Sequence, residues 1–465
     1  MKFSISFCYG ILNAMKDGFI VTAKGSGAEA IPVLKGWIVL PCAVGATVLY
    51  SKLTNRFSRS QLFYGIILFF LSFIALYGFV LYPYADALSP HQSADWLLAQ
   101  LGEHNSHWIA IYRNWIPSLF FVVTELWGSV VIFLLFWGFV NQVNTFGEAK
   151  RFYNLFIAGG DMAQMLTGPT VYYFTRKFIG SNFIFALHSL TGFVLFFGCI
   201  IMALFWYLNR SILTDIRFYN PADHHQDAGE VKTKLSFRES LRLIVGSKYL
   251  RAIAMMVIGY ALTINLVDVT WKGNLKLAFP DTGAYQGFMA AITSSVGICS
   301  FITTTLLSGP LIRLLGWRFS ALVTPIIVGS TSLLFLFLFD NRDALGPTLW
   351  GYPTIAAIVL LGAFQNVSSK VCKYAFFDAT KEMSYIPLSH ELKVKGKAAI
   401  DVVGSRFGKA GASWLQIALL QFAGTGSVFS ITSYLLPIIA VTVLLWILAV
   451  RSLNRQFSGD KQLAI

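Results

Sequence analysis

Several charged residues of this sequence lie inside long apolar stretches, where an ionised group is costly unless it faces a partner, a cavity or a ligand. Lys16 and Asp17 interrupt the first stretch, and Glu125 lies in the middle of a later one. Asp268 lies in another, with Lys272 just beyond it. Lysine ammonium groups suit phosphate binding, and carboxylates at membrane depth suit charge balance or proton uptake. The pattern indicates a path for an anionic solute.

Each of these charges also has a structural interpretation. Lys16 would serve equally to neutralise a buried carboxylate, and Glu125 would serve to balance Arg113, which lies near one end of the same apolar stretch. Lys373 follows a later stretch, and Arg151 belongs to a basic cluster that is typical of a loop or gate. Arg113, Lys272, Arg151 and Lys373 are therefore secondary candidates for contact with the solute.

Motifs of enzymes and metal sites do not occur. The segment from Gly25 to Gly27 lacks the Gly-Lys-Ser/Thr ending and the strand context of a phosphate-binding loop, so we expect no hydrolytic ATPase. The 5 cysteines are scattered and form no C-x-x-C pair, which argues against a zinc site and a disulfide framework. We expect no enzyme activity, no catalytic residues, no cofactor and no metal.

Membrane helices are the elements that must position these charges. Of the 465 residues, 56% are hydrophobic and only 12% are charged, about half the charged share of a soluble domain. The apolar runs are long and continuous without alternation, which favours helices over a β-barrel. The net charge of +14 lies in short segments between the runs, and this placement argues against nucleic-acid binding. The sequence predicts an all-α polytopic protein in a lipid bilayer.

The apolar runs predict twelve spans, because each run is long enough to cross about 30 Å of hydrocarbon. They lie near 3–22, 33–51, 61–83, 109–140, 152–175, 182–208, 249–271, 285–309, 318–340, 350–371, 397–423 and 428–450. Lysine and arginine concentrate in alternate loops, which places both termini in the cytoplasm. The long polar segment 209–248 then divides the chain into six-helix halves, 1–208 and 249–465.

The charged spans are the first, fourth, seventh and tenth of the twelve. These occupy equivalent positions in the three-helix quarters of a major-facilitator-like fold, where they line the central cavity between the halves. Hydropathy alone does not require this coincidence. It is the strongest evidence from the residues themselves for a transport path.

Motifs along nearly the whole chain then indicate the chemical class of the solute. In order they are Gly25-Ser-Gly-Ala-Glu-Ala-Ile-Pro32, Glu125-Leu-Trp-Gly-Ser-Val130, Glu148-Ala-Lys-Arg-Phe-Tyr153, Asn265-Leu-Val-Asp-Val-Thr-Trp-Lys272, Phe377-Asp-Ala-Thr-Lys-Glu-Met-Ser-Tyr-Ile-Pro387 and Lys393-Val-Lys-Gly-Lys-Ala-Ala-Ile-Asp-Val-Val403. Together they resemble the nucleotide transporter family, the ATP/ADP translocases of chlamydiae, rickettsiae and plastids.

The resemblance implies a nucleotide carrier in the inner membrane of a bacterium, of the kind that lives inside host cells. It implies phosphate contacts at Lys16, Lys395 and Lys397, and we expect charge balance or proton coupling at Asp17, Glu125 and Asp268. We expect the partners to be the nucleotide, the bilayer and protons, with the chain acting as a monomer. Among the aromatic residues, Trp127, Trp137, Phe152 and Tyr153 are candidates to stack on a base, although packing explains each of them as well.

Two departures from the family pattern bear on the transport mode. The first span reads Asn13-Ala-Met-Lys16-Asp17 where the family has Arg-Asp-Thr-Lys-Asp, and Asp268 replaces a glutamate in the seventh. These changes favour net import by proton symport. Strict ATP/ADP antiport is the alternative, followed by a dinucleotide carrier or a nucleotide sensor without transport.

Overall fold

In the computed structural model almost all of the chain is helical, and the structure describes residues 1–143, 146–177, 183–214, 237–388, 396–397, 400 and 406–462. The helices before residue 214 are, in chain order, α1 (Lys2–Val21), α2 (Ala30–Leu53), α3 (Arg59–Leu81), α4 (Ala85–Leu88), α5 (His91–Leu101), α6 (Ser106–Arg113), α7 (Trp115–Val140), α8 (Phe146–Lys177) and α9 (Phe183–Ile212).

The second part of the chain repeats this helical character. Its helices are α10 (Phe237–Gly246), α11 (Lys248–Ala278), α12 (Thr282–Ile302), α13 (Gly309–Asp340), α14 (Thr354–Met383), α15 (Arg406–Ala423) and α16 (Thr432–Gln462). A π-helical stretch, Thr303–Ser308, joins α12 to α13. Before α14, the two-residue strands β1 (Thr348–Leu349) and β2 (Tyr352–Pro353) pair antiparallel.

Eight apolar helical stretches within the described residues are long enough to cross a membrane: α2, α3, α7, α9, α11, the stretch from α12 through α13, α14 and α16. The α12–α13 stretch has 59 residues, about 88 Å if straight, so it exceeds one crossing of about 30 Å. Its backbone leaves the helical conformation at Gly316, where φ is +76°. The prediction of a helical membrane protein is confirmed, and the count of twelve spans stays a prediction.

The difference between eight and twelve has a physical origin. α1, α8 and α15 are helices at three of the predicted spans, but charged and polar residues lower their mean hydropathy. The α12–α13 stretch accounts for two predicted spans. The division into halves and linker also stays a prediction, because residues 215–236 of the predicted 209–248 linker lie outside the described residues.

Close packing between α11 and α14 fixes the backbone near the predicted site. A Cβ added to Gly362 would lie 2.2 Å from Cδ1 of Trp271 and 2.9 Å from Cε2 of Phe335. Both rings are fully buried, and the Trp271 indole N–H donates to the Val359 carbonyl at 3.1 Å, which prevents the indole from moving aside. Since Trp271 adjoins Lys272, this packing also sets the depth of that charge.

Gly362→Ala is expected to destabilise the protein by about 1–3 kcal/mol, because the new methyl group overpacks a rigid interface. The thermal unfolding midpoint of the purified protein in detergent measures the effect. Gly65→Ala on α3 is the control, since a Cβ there meets nothing within 4 Å and alanine favours the helix. Equal midpoints for the two variants would contradict this packing.

His107 on α6, outside the apolar stretches, gives the fold a pH dependence. Its side chain is fully buried, and its Nδ1 has no hydrogen-bond partner in the described part of the chain. Its Nε2 lies 3.4 Å from Nε2 of Gln421 on α15. Burial, aided by His104, lowers the pKa of His107 to about 4. The unfolded chain therefore binds more protons than the folded protein between about pH 6.5 and pH 4.

The unfolding midpoint is expected to fall as the pH drops from 7 toward 4.5, because the folded protein holds His107 neutral while the unfolded chain takes up a proton. His107→Gln removes this proton uptake, so the variant should lose less stability over the same pH range. An identical pH profile for wild type and His107→Gln would disprove the assignment.

Candidate functional site: a buried charge network

α1 carries Lys16 and Asp17 into the interior, where they are 3% and 2% exposed. The Lys16 ammonium forms an ion pair with Glu125 of α7 and lies 3.7 Å from Oδ1 of Asp17. It also lies 4.3 Å from the ring centroid of Phe121, within the range of a cation–π contact. Lys16 is thus held by two carboxylates and an aromatic ring.

α11 continues the network on the other side of Asp17. The Lys272 ammonium lies 2.9 Å from Oδ2 of Asp17 and 2.6 Å from Oδ2 of Asp268. The Asn366 amide on α14 donates to Oδ1 of Asp268 at 3.2 Å. The charge network, as named here, runs from Glu125 through Lys16, Asp17, Lys272 and Asp268 to Asn366.

Helix geometry explains why neighbouring residues reach different helices. Adjacent residues point about 100° apart on a helix, so Lys16 turns toward α7 while Asp17 turns toward α11. Asp268 and Lys272 are four residues apart, which places them on one face of α11. In the structure ion pairs join α1, α7 and α11, and the Asn366 hydrogen bond adds α14. That these helices line a central cavity stays a prediction.

Three further lysines surround the network. Lys35 interacts electrostatically with Lys16, Glu125, Asp268 and Lys272. Lys370 interacts with both aspartates and both lysines of the network, and Lys409 interacts with Glu125 and Lys16. Lys35 and Lys370 are half-buried, and no ion pair of theirs is found among the residues that the structure describes. These lysines are available to an anion.

Sequence reasoning misses Lys35 because it lies at the edge of the predicted second span, where a lysine is ordinarily interfacial. In the structure the helix already begins at Ala30, and Leu34–Val39 is π-helical. π-helical turns often occur at functional sites. Lys370 is read from sequence as the end of a span, but α14 continues to Met383, so Lys370 lies within the helix. For Lys35, the available signal was a lysine three residues after the Gly25–Pro32 motif.

The secondary candidates occupy different places. Arg113 pairs with Asp95 of α5, so it does not balance Glu125. Lys373 lies 3.2 Å from Oδ2 of Asp378 and 4.5 Å from the ring centroid of Tyr374. Arg151 lies on α8, and its side chain is outside what the structure describes.

The two lysines near residue 396 are not brought into the network by any described contact. Lys397 is 45% exposed, and its ammonium lies 2.7 Å from Oε2 of Glu382. Lys395 lies outside the described residues.

Charge and burial define what this arrangement can bind. Among the described residues, five lysines interact electrostatically with three carboxylates, so positive charge is in excess. They are lysines 16, 35, 272, 370 and 409, of which Lys409 is exposed. Buried charges are stable only when they are compensated. An anion with several oxygens, such as a polyphosphate, supplies the missing negative charge and accepts several hydrogen bonds.

Comparison with known proteins shows which family the sequence matches. A family model described as TLC ATP/ADP transporter matches residues 1–457. ADP,ATP carrier protein 1 of Chlamydia muridarum is 43% identical over 469 residues, covering 98% of this chain and 87% of the relative. The chloroplastic ADP,ATP carrier protein 1 of Arabidopsis thaliana is 42% identical over 467 residues, covering 99% and 73%. ADP,ATP carrier protein 3 of Rickettsia bellii is 36% identical over 474 residues, covering 98% and 93%.

The fold has a counterpart among solved structures. A bacterial homologue of the iron transporter ferroportin, in an inward-facing state, superposes with a TM-score of 0.57 at 15% sequence identity. The superposition covers 97% of this chain and 98% of the other. The chain therefore shares the fold of a membrane transporter over almost its whole length.

Lys272→Met is expected to destabilise the protein by about 3–5 kcal/mol, because it leaves Asp17 and Asp268 short of a buried cation. Adding Asp17→Asn should recover part of the loss, since it removes one uncompensated charge. Unfolding midpoints in detergent measure both variants. Lys397→Met is the control, because an exposed ion pair contributes about 0–1 kcal/mol. Additive effects of Lys272→Met and Asp17→Asn would contradict the pairing.

Proposed function

The chain belongs to the TLC ATP/ADP transporter family, and we propose on that premise that it carries nucleotides across a membrane, with ATP and ADP as its substrates. The observation that supports this proposal is the excess of lysine around a buried network. A nucleoside triphosphate carries about four negative charges, and its phosphates lose hydration on entering a protein. Lysine suits a carrier because it is a flexible point charge that also lets phosphates leave.

The roles of the lysines follow from their partners. The phosphates are bound by Lys35, Lys370 and Lys409. Each of these lysines interacts electrostatically with the charge network and forms no ion pair of its own among the described residues. Lys16 and Lys272 approach the phosphates while bound to carboxylates. Lys397, expected from the family motif to bind phosphate, pairs with Glu382 and acts outside the central site in this conformation.

Transport proceeds by alternating access between two six-helix halves, 1–208 and 249–465, with both termini in the cytoplasm. The Asp17–Lys272 pair crosses between these halves. Toward the end of α1, the Thr22 and Thr282 hydroxyls lie 2.7 Å apart, and the Lys276 ammonium donates to the Ser26 carbonyl. We infer that these contacts close the outer side of the site in this conformation. The inner membrane of a bacterium is the membrane that we propose the chain spans.

Exchange of ATP for ADP is the coupling mode that we favour. The altered first and seventh spans favoured proton symport, with Asp268 as a proton site. In the structure Asp17, Glu125 and Asp268 each pair with a lysine, so a phosphate group that competes for the lysines rearranges the network without a proton. The names of the relatives from Chlamydia, Rickettsia and Arabidopsis agree with exchange.

Uptake into liposomes containing the purified chain tests the proposal. Labelled ATP and ADP are expected to enter, and a panel of other nucleoside triphosphates and dinucleotides defines the range. Lys35→Met should reduce ATP uptake at least about tenfold, because it removes a charge-assisted contact of about 1.5–3 kcal/mol. Lys52→Met, exposed on the same helix, should transport normally. Saturable binding without uptake of any nucleotide would contradict a carrier.

Preloading separates the two coupling modes. Exchange requires ADP or ATP inside the liposome and is insensitive to a protonophore. Symport requires no internal nucleotide, rises with external acidity and collapses when a protonophore is added. Uptake into empty liposomes that a protonophore abolishes would overturn exchange in favour of symport.

A further inference from the structure

Trp127 and Trp137, two of the four candidates to stack on a base, do not reach the charge network, and the side chain of Tyr153 lies outside what the structure describes. Trp127 is fully buried, its indole lies 3.4 Å from the Ile5 carbonyl, and its ring meets Phe70 edge-on at 5.5 Å. Trp137 lies 5.8 Å from the Lys2 ammonium, and Lys2 is about 21 Å from Lys16 along α1. These tryptophans pack the first part of the chain and leave the base of a nucleotide without a partner.

Tyr9 is placed differently. It precedes Lys16 by seven residues, so it shares the same face of α1 about 10 Å along the helix. It is half-buried and interacts electrostatically with Glu125 and Asp17. A Cβ added to Gly128 of α7 would lie 3.2 Å from Cε2 of Tyr9, so the glycine makes room for the ring.

Tyr374 on α14 is the counterpart from the second part of the chain. It follows Lys370 by four residues, which places it on the same face about 6 Å along the helix. Its side chain is 38% exposed. Lys373, anchored by Asp378, lies 4.5 Å from the ring centroid and covers one side of the ring. The exposed part of the ring is available to a ligand.

We infer that Tyr9 and Tyr374 form the base-binding subsite of the carrier, with the nucleobase stacked between two rings contributed by opposite halves. The inference rests on the proposed nucleotide transport. Tyr9 and Tyr374 interact electrostatically with each other. Tyr9 precedes Lys16 on α1 and Tyr374 follows Lys370 on α14. Because these two helices run in opposite directions in the predicted topology, both rings are displaced from their lysines toward the same side of the membrane. Phosphates at the lysines therefore place the base at the rings.

Stacking contacts the flat face of a base and makes no hydrogen bonds to its edge, so discrimination between bases is weak. The subsite also couples nucleotide binding to the arrangement of the two halves, because a base held between both rings requires the halves to lie close together.

Inorganic triphosphate is the probe that separates the two parts of the site, since it has the charge of the nucleotide tail and no base. Binding of ATP and of triphosphate to the full-length protein in detergent is measured by calorimetry. Tyr9→Leu and Tyr374→Leu are each expected to weaken ATP binding by roughly 5- to 150-fold, the range for loss of one aromatic stack. Triphosphate affinity should stay unchanged, which also shows that each variant is folded.

Two conservative variants and one distant variant complete the design. Tyr9→Phe and Tyr374→Phe keep the ring and should bind ATP within about twofold of wild type. Tyr352→Leu, at an exposed tyrosine outside the site, should bind both ligands normally. Equal loss of ATP and triphosphate binding in the leucine variants, or no loss of ATP binding, would overturn the base subsite. Failure of wild type to bind any nucleotide would instead overturn the proposed function.

Discussion

The ion pair between Asp17 and Lys272 joins a helix at the start of the chain to a helix in its second part, with both side chains almost completely buried. Burial of two charges costs several kcal/mol for each ion, and their attraction offsets this cost only when further partners complete the geometry. Lys16 lies beside Asp17, and Asp268 lies beside Lys272. α1, α7, α11 and α14 must therefore meet at one depth, and the remaining helices pack around that crossing.

The same ion pair explains physically how nucleotide binding can lead to movement of the two halves. A site with surplus lysines attracts an anion, and a phosphate group competes with Asp17 for Lys272. Under the proposed function, the nucleotide therefore weakens the contact that crosses between the halves while it supplies a replacement for it. A carrier needs this balance, because a network that was fully satisfied without substrate would favour one conformation too strongly to alternate.

Much of the fold could be predicted from the sequence, because long apolar runs specify helices and because ionised residues inside such runs need partners. The facing of the charged spans could be predicted for the same reason. Lys35 could not, since the start of α2 and its π-helical turn are set by packing that hydropathy does not register. Arg113 was available as a partner for Glu125 in sequence, but α5 brings Asp95 to it instead. The family motif pointed to Lys397, whose pairing with Glu382 depends on the conformation of the chain between them.

A charge exchange at the crossing tests the central claim most directly. Asp17→Lys and Lys272→Asp each place two like charges in contact, whereas the double variant restores one cation and one anion at the same two positions. ATP/ADP exchange in liposomes is the measurement. Each single variant should lose transport, and the double variant should regain part of it, because each exchanged group still meets one like-charged neighbour, Lys16 or Asp268. A double variant as inactive as either single variant, although folded and inserted, would contradict the role given to this ion pair.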